Sequence, residues 1–253
     1  MNAKTKTKTT RVVSIDWDYF VEENPMLDWG HRETTFFLEH MWHIRRVNTS
    51  YNEATKSFKQ MLVDLRELLP FRGSPFVITR LPFTQGKYQI GTAESHAAIL
   101  QLLTGQSNLE IVNIDAHHDI HYGKIAKDDK SVECGSWGSH LIANGRVKSW
   151  LQVYPDWRKK FPEGHEDKLD WARKQLNGQF DVVYGAPPIR WRNVDYVFIC
   201  RSGCWAPPEY DKEFSLLCMM LGAHGMKERE ITVPKLIPVG ESAPLGKEEV
   251  CST

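Results

Sequence analysis

The sequence predicts an α/β protein, a three-layer α/β/α sandwich around a mostly parallel sheet, and three observations point there. Short apolar runs of the kind that make buried strands recur at Arg11–Ile15, Glu110–Ile114, Phe180–Tyr184 and Val194–Cys200. Segments with helical spacing of apolar residues fall between them, among them Leu169, Ala172 and Leu176. Buried strands alternating with helices imply a parallel sheet covered on both faces. Third, two of the apolar runs end in closely spaced carboxylates, Asp16-Trp17-Asp18 and Asp115-Ala116-His117-His118-Asp119. Open α/β sheets bind ligands outside the carboxyl ends of their strands.

Taken in order, residues 1–10 are basic and low in complexity and read as a disordered tail. Arg11–Ile15 is β-branched and enters the sheet. An aromatic-rich segment, Phe36 to Trp42, is expected to be helical. From Asn52 to Leu69 apolar residues at Phe58, Met61, Leu62, Leu65, Leu68 and Leu69 give a helix that Pro70 stops. Pro75 to Thr79 reads as a strand. Gly91 to His96 leads into a helix over Ala97–Leu103 that Gly105 closes, which puts His96 at a helix N-terminus. Residues 120–139 read as a loop carrying His121, Cys134 and Trp137, and His140 opens a short apolar stretch. Residues 155–165 are polar, and the helix through Leu169, Ala172 and Leu176 ends near Gly178. The strands Phe180–Tyr184 and Val194–Cys200 follow, then a rigid Trp205-Ala206-Pro207-Pro208-Glu209 turn and a helix from Phe214 to Leu221. With no repeat or linker evident, residues 11–240 are expected to form one domain, with 241–253 a loose tail.

Composition narrows the classes of function. Lys plus Arg equals Asp plus Glu at 32 each, so nothing electrostatic favours nucleic acid or a membrane surface. No apolar run is long enough to span a bilayer and no secretory signal precedes the first strand. The five cysteines lack zinc-finger spacing, so reduced thiols in a cytoplasmic protein are expected.

The two acidic motifs point to metal. In extended backbone Asp115, His117 and Asp119 share one face, while Ala116 and His118 point away. A single such motif reads equally well as a polar loop leaving a strand. Its repetition as Asp16 and Asp18 favours chemistry, because buried carboxylates repel one another and resist desolvation unless a cation lies between them. Pooled, Asp16, Asp18, Asp115 and Asp119 bring four negative charges, with His96 and His117 as neutral donors. Two divalent cations would balance that set. Oxygen-rich sites with one imidazole per metal suit Mn²⁺ better than zinc.

Asp115-Ala116-His117-His118-Asp119 resembles the D-A-H-x-D signature of the arginase-like ureohydrolases, and Ser14-Ile15-Asp16-Trp17-Asp18 resembles their S-x-D-x-D signature. Glu94-Ser95-His96 is similar to a degenerate form of the segment that carries their remaining histidine. The resemblance implies two Mn²⁺ per chain, one on His96 and Asp119 and the other on His117 and Asp18, with Asp115 and Asp16 bridging. Two departures bear on transfer. The S-x-D-x-D element comes late in arginases and at residues 14–18 here, so the motif order is rearranged. Where arginases grip the α-carboxylate of free arginine with asparagine, this chain has His121.

The resemblance is closest to the peptide arginases, which make ornithine inside ribosomally synthesised peptides. It implies a manganese hydrolase that takes urea from arginine side chains of a precursor peptide. A water activated between the metals would attack the guanidinium carbon. Asp119 would take the proton, and His121 or His140 would relay one from solvent. The guanidinium needs an acidic partner. Glu209 is the first choice, with Glu22 and Asp211 as alternatives. Tryptophans near the motifs, Trp17, Trp137 and Trp205, are candidate apolar surface for a peptide. Rival readings are a small-molecule ureohydrolase acting on arginine, agmatine or another guanidine, a metal-dependent deacetylase relative, and a metal-binding module without turnover. Oligomeric state is not readable from the sequence.

Overall fold

The computed structural model describes residues 8–20, 88–120, 132–160, 162–185 and 194–206, with the single positions 211, 214, 215, 217 and 218. The expected helices at 36–42 and 52–69 and the strand at 75–79 lie outside the described residues. So do Glu22, His121 and Glu209.

Six strands build one sheet: β1 (Thr10–Asp16), β2 (Gln89–Ala93), β3 (Leu109–Ile114), β4 (Val147–Tyr154), β5 (Phe180–Tyr184) and β6 (Tyr196–Cys200). Their order is β2-β6-β1-β3-β4-β5 and every pairing is parallel. β1 is central, with Ser14 in register with Asn113 on one side and Phe198 on the other. All five residues of β6 are buried, as expected of a strand covered on both faces.

Period-two alternation divides the side chains between the faces. Val13, Ile15, Val112, Ile114, Val197 and Ile199 form one core cluster with Trp17, Phe20, Phe214 and Leu217. Val12, Leu109, Ile111 and Phe198 belong to the other. Three helices contribute to that second cluster: α1 (Ile99–Leu102, entered through a 3₁₀ turn at His96–Ala98), α2 (Trp137–Ala143) and α3 (Glu166–Gln175). Burying each large aliphatic side chain contributes roughly 1.5–3 kcal/mol. On this same face the chemistry changes along each strand. Val12 gives way to Ser14 and Asp16, Ile111 to Asn113, and Phe198 to Cys200. The donors thus collect at the carboxyl ends, on a face whose other end is solid core. Among the described residues, no helix is long and apolar enough to cross a membrane.

Four local expectations change. β2 and β4 are strands the apolar patterning does not announce. Gly91 interrupts the first, and Lys148, Ser149 and Gln152 interrupt the second. α2 begins at Trp137, inside the expected loop, where Gly135 and Gly138 hide the helical pattern. β5 is an edge strand and not buried throughout: Val182 and Val183 are half-buried, and Asp181 and Tyr184 are exposed. The acidic motif of β3 is not extended either: the strand stops at Ile114, and Asp119 sits in the left-handed region at φ 53°. An aspartate tolerates that conformation better than most residues.

Candidate metal centre

The strand ends bring together all six residues expected to hold metal. Their ligand atoms fall into clusters within 4.8 Å: Asp18 with Asp115 and His117, and His96 with Asp115 and Asp119. Asp115 belongs to both. Asp16 joins a further group with His96 and Cys200, a residue that motif reading does not single out.

Each side chain is fixed by its local structure. Asp16 closes β1, and its Oδ1 accepts the amide of Asp18 at 3.1 Å, which turns Asp18 toward the same end of the sheet. Asp18 accepts the Ala116 amide at 3.3 Å and lies 2.9 Å from His117 Nδ1. Asp115 accepts the His117 amide at 2.7 Å and the Asn113 side-chain amide at 3.1 Å. These bonds fold the motif into a compact bend, so its donors converge without strand alternation. Arg158, buried and donating through Nε to the Ala116 carbonyl at 2.7 Å, clamps the bend from behind.

Asp119 is tied to α2 twice. Its Oδ2 accepts Trp137 Nε1 at 2.6 Å and its carbonyl accepts the Gly138 amide at 3.1 Å. A Cβ at Gly138 would come within 2.9 Å of that carbonyl and 2.8 Å of the Trp150 ring, so the close approach requires glycine. His96 is buried, its ring stacked on Phe198 at 5.6 Å and tilted against Trp137 at 4.9 Å. Ser14 Oγ lies 2.5 Å from its Nε2.

The other ring nitrogen tests whether a cation fits. His96 Nδ1 faces carboxylate oxygens of Asp119, Asp16 and Asp115 at 2.9, 3.1 and 3.3 Å. Although buried, it makes no hydrogen bond of proper geometry with any of them. A buried ring nitrogen without a hydrogen bond, set among converging carboxylates, matches the donor set of a divalent ion. The electrostatics agree. Burial, then Asp18 and Asp115, push the Asp16 carboxyl well above its ordinary pKa. Burial and then Asp119 raise that of Asp115. For His96 burial acts to lower the pKa, but the carboxylates, Asp119 foremost, outweigh it and raise it well above the usual value. Without a cation the cluster therefore retains protons, and a divalent ion would replace them.

The remaining expected residues are distributed unevenly. His118 points away from the cluster and is fully buried, with the Ile120 amide donating to its Nδ1 at 2.8 Å; burial first, then nearby positive groups, lower its pKa to about 3. His140 is buried within α2, packed beside Asn144 at the end of that helix. Asp211 is engaged by this chain's own guanidinium: Arg201 reaches it at 2.7 Å and Glu94 at 2.9 Å. Trp17 and Trp137 are core, so they offer no surface to a peptide. Trp205 is half-buried, its ring 4.9 Å from that of His117.

One carboxyl escaped sequence reading. Glu163 is half-buried, accepting the Tyr154 hydroxyl at 2.7 Å and the His118 amide at 3.4 Å. Burial raises its pKa well above the glutamate norm; His117 acts against the rise, and the charges of Asp115 and Asp119 add to it. Lying in the polar stretch before α3, it carries no motif that could have revealed it.

No family model, curated protein or solved structure matches this chain. What fold and site define is a class: an α/β protein with a six-stranded parallel sheet and a carboxylate–imidazole cluster able to hold metal at its strand ends.

Proposed function

We propose that the chain is a binuclear metal hydrolase with an arginase-like three-layer fold, converting arginine side chains of a peptide to ornithine with release of urea. The observation that carries the reading is Asp115, shared between two donor clusters as a bridging carboxylate would be. Four carboxylates balance two divalent cations, and an oxygen-rich set favours Mn²⁺. Bound there, the two cations would supply Lewis acidity and a water acidified to hydroxide at neutral pH.

The chain's own groups then have distinct tasks. Asp119, already oriented by Trp137, holds the proton released by the attacking water. The water oxygen adds to the guanidinium carbon to form the C–O bond; the C–N bond to the side-chain nitrogen then breaks, that nitrogen taking the proton held by Asp119 to leave as ornithine's amine, and the remaining fragment departs as urea. Glu163, on the His118 side of the motif, joins Glu209 and Glu22 as a candidate partner for the guanidinium. Trp205 beside His117 supports a substrate larger than free arginine, because it offers a planar surface at the more open side of the cluster.

Incubating the manganese-loaded protein with arginine-containing peptides should release urea and shift each converted residue by about 42 Da (CN₂H₂). Free L-arginine should be a much poorer substrate by kcat/KM. Glu163→Gln and Glu209→Gln, compared side by side, identify the guanidinium partner as the one that lowers turnover while metal content holds. Efficient turnover of free arginine or agmatine with none on peptides would move the assignment to a small-molecule ureohydrolase. Tight metal binding without any urea would leave a binding module.

A further inference from the structure

Cys200 ends β6 in register with Asp16 of β1 and with Ala93 of β2. Register partners on parallel strands send their side chains to the same face, so the thiol and the Asp16 carboxylate stand side by side. The Cys200 sulfur, an Asp16 oxygen and a His96 ring nitrogen lie within 4.8 Å of one another, and all three residues are buried. Of the described cysteines, Cys200 is the one that falls in such a donor group. It forms no disulfide. The second observation is independent of the cysteine. Ser14 holds Nε2 of His96, which leaves Nδ1, buried and without a hydrogen bond, turned toward the same carboxylates. The Cys200 thiol donates to the Glu94 carbonyl at 3.3 Å, and that carbonyl also receives the Ser202 amide at 3.2 Å. It therefore keeps a donor if the thiol proton leaves.

We propose that Cys200 supplies a thiolate to the cation held by His96, so that the two positions of the centre take different ions. Building on the binuclear reading above, this gives the His117 position oxygen and imidazole donors and keeps its preference for manganese. The His96 position gains sulfur and prefers a softer ion such as zinc or cobalt, since thiolates select those metals. As the sulfur–metal bond forms, the thiol proton passes to solvent and no electrons change hands.

The test uses the full-length, metal-stripped protein reloaded with Co²⁺. Wild type should show a near-ultraviolet sulfur-to-cobalt charge-transfer band. Cys200→Ser should lose that band while binding the same amount of cobalt at saturation, and its zinc-over-manganese preference should fall at least about tenfold. Cys204→Ser and Cys218→Ser should keep the band. X-ray absorption at the zinc edge of the wild type needs no variant, and should find a sulfur neighbour at about 2.3 Å. Bound cobalt or zinc with no sulfur neighbour, or a band that survives Cys200→Ser, overturns the proposal while the binuclear reading stands. Failure to bind either ion removes both. Urea release is read separately and bears on the reaction alone.

Discussion

The two sides of the centre are built by different means. His96 is 2% exposed, clasped between Trp137 and Phe198 and anchored by Ser14, so its position is set by the sheet and its core. The His117 side chain is 15% exposed, positioned by a bend of backbone-to-carboxylate hydrogen bonds and neighboured by the half-buried Trp205. The first side is part of the packing and the second is open to visitors. On the proposed reading, such a division would separate metal retention, on the side of His96, from substrate selection, on the side of His117. Asp115 joins the two.

The comparison breaks most severely if β1 and the turn after it are removed, because together they deliver Asp16 to one side and Asp18 to the other. Deleting residues 1–18 should abolish folding, seen as loss of the cooperative thermal transition, whereas deleting 1–9 should leave it nearly intact. Full metal binding by the shorter chain would mean that the Asp16–Asp18 motif is incidental. Next in size is Asp115→Asn. As the shared carboxylate, it should lower affinity at both positions by at least about a hundredfold, measured by metal analysis after dialysis. Loss from one position alone would show that Asp115 does not bridge.

Acidity sharpens the contrast further. The raised pKa values of Asp16, Asp115 and His96 mean that the metal-free fold binds more protons than the unfolded chain. Their stabilisation is present below the ordinary values, 3.8 for aspartate and 6.5 for histidine, and is lost as pH rises through the raised ones. His118 acts in the opposite sense below 6.5, because its lowered pKa near 3 favours the unfolded chain in acid. Above pH 6.5, then, the metal-free protein should lose stability while metal affinity rises, by about tenfold per pH unit for each proton displaced. Calorimetric melting with and without metal between neutral and mildly alkaline pH reads both slopes, and a metal effect independent of pH would contradict the protonated cluster. The smallest effect belongs to the open side. Trp205→Ala should raise KM for an arginine peptide by about tenfold, the scale of one lost cation–π or stacking contact, with metal content and kcat held. A fall in metal content instead would place Trp205 in the structural side.

How much of this the sequence shows depends on what each residue answers to. The β-branched runs of β1 and β6 are legible because burial on both faces leaves a continuous apolar signature. β4 is not, because Lys148 and Ser149 lie outside the core and Gln152 turns inward to hold Asn113 at 3.2 Å. The six candidate metal-site residues are legible as carboxylates and imidazoles crowded at strand ends. Their conformation is not: the positive φ of Asp119 depends on Gly138 and Trp137, which follow a segment away in the chain. Cys200 and Glu163 are invisible for the same reason, since only the register of β6 against β1 and the fold of the stretch before α3 bring them near the cluster.

The position of β1 has a consequence for how the protein is made. It is the first described strand to leave the ribosome, yet its neighbours are β3 and β6, whose pairing residues begin at Leu109 and Tyr196. One edge of this buried strand waits only for β3, in the first half of the chain, but the other must wait, unpaired, for β6, when most of the chain has been synthesised. Unpaired apolar strand edges are sticky during synthesis, and sheets closed by such distant partners form slowly. His96, one of the six candidate ligands, lies just after β2, whose partner among the described strands is β6, so the full set cannot be fixed in place before β6 emerges. On the proposed reading, loading of metal would thereby be deferred to a late stage of folding, and a nascent chain stalled before residue 196 should be both metal-free and prone to aggregate.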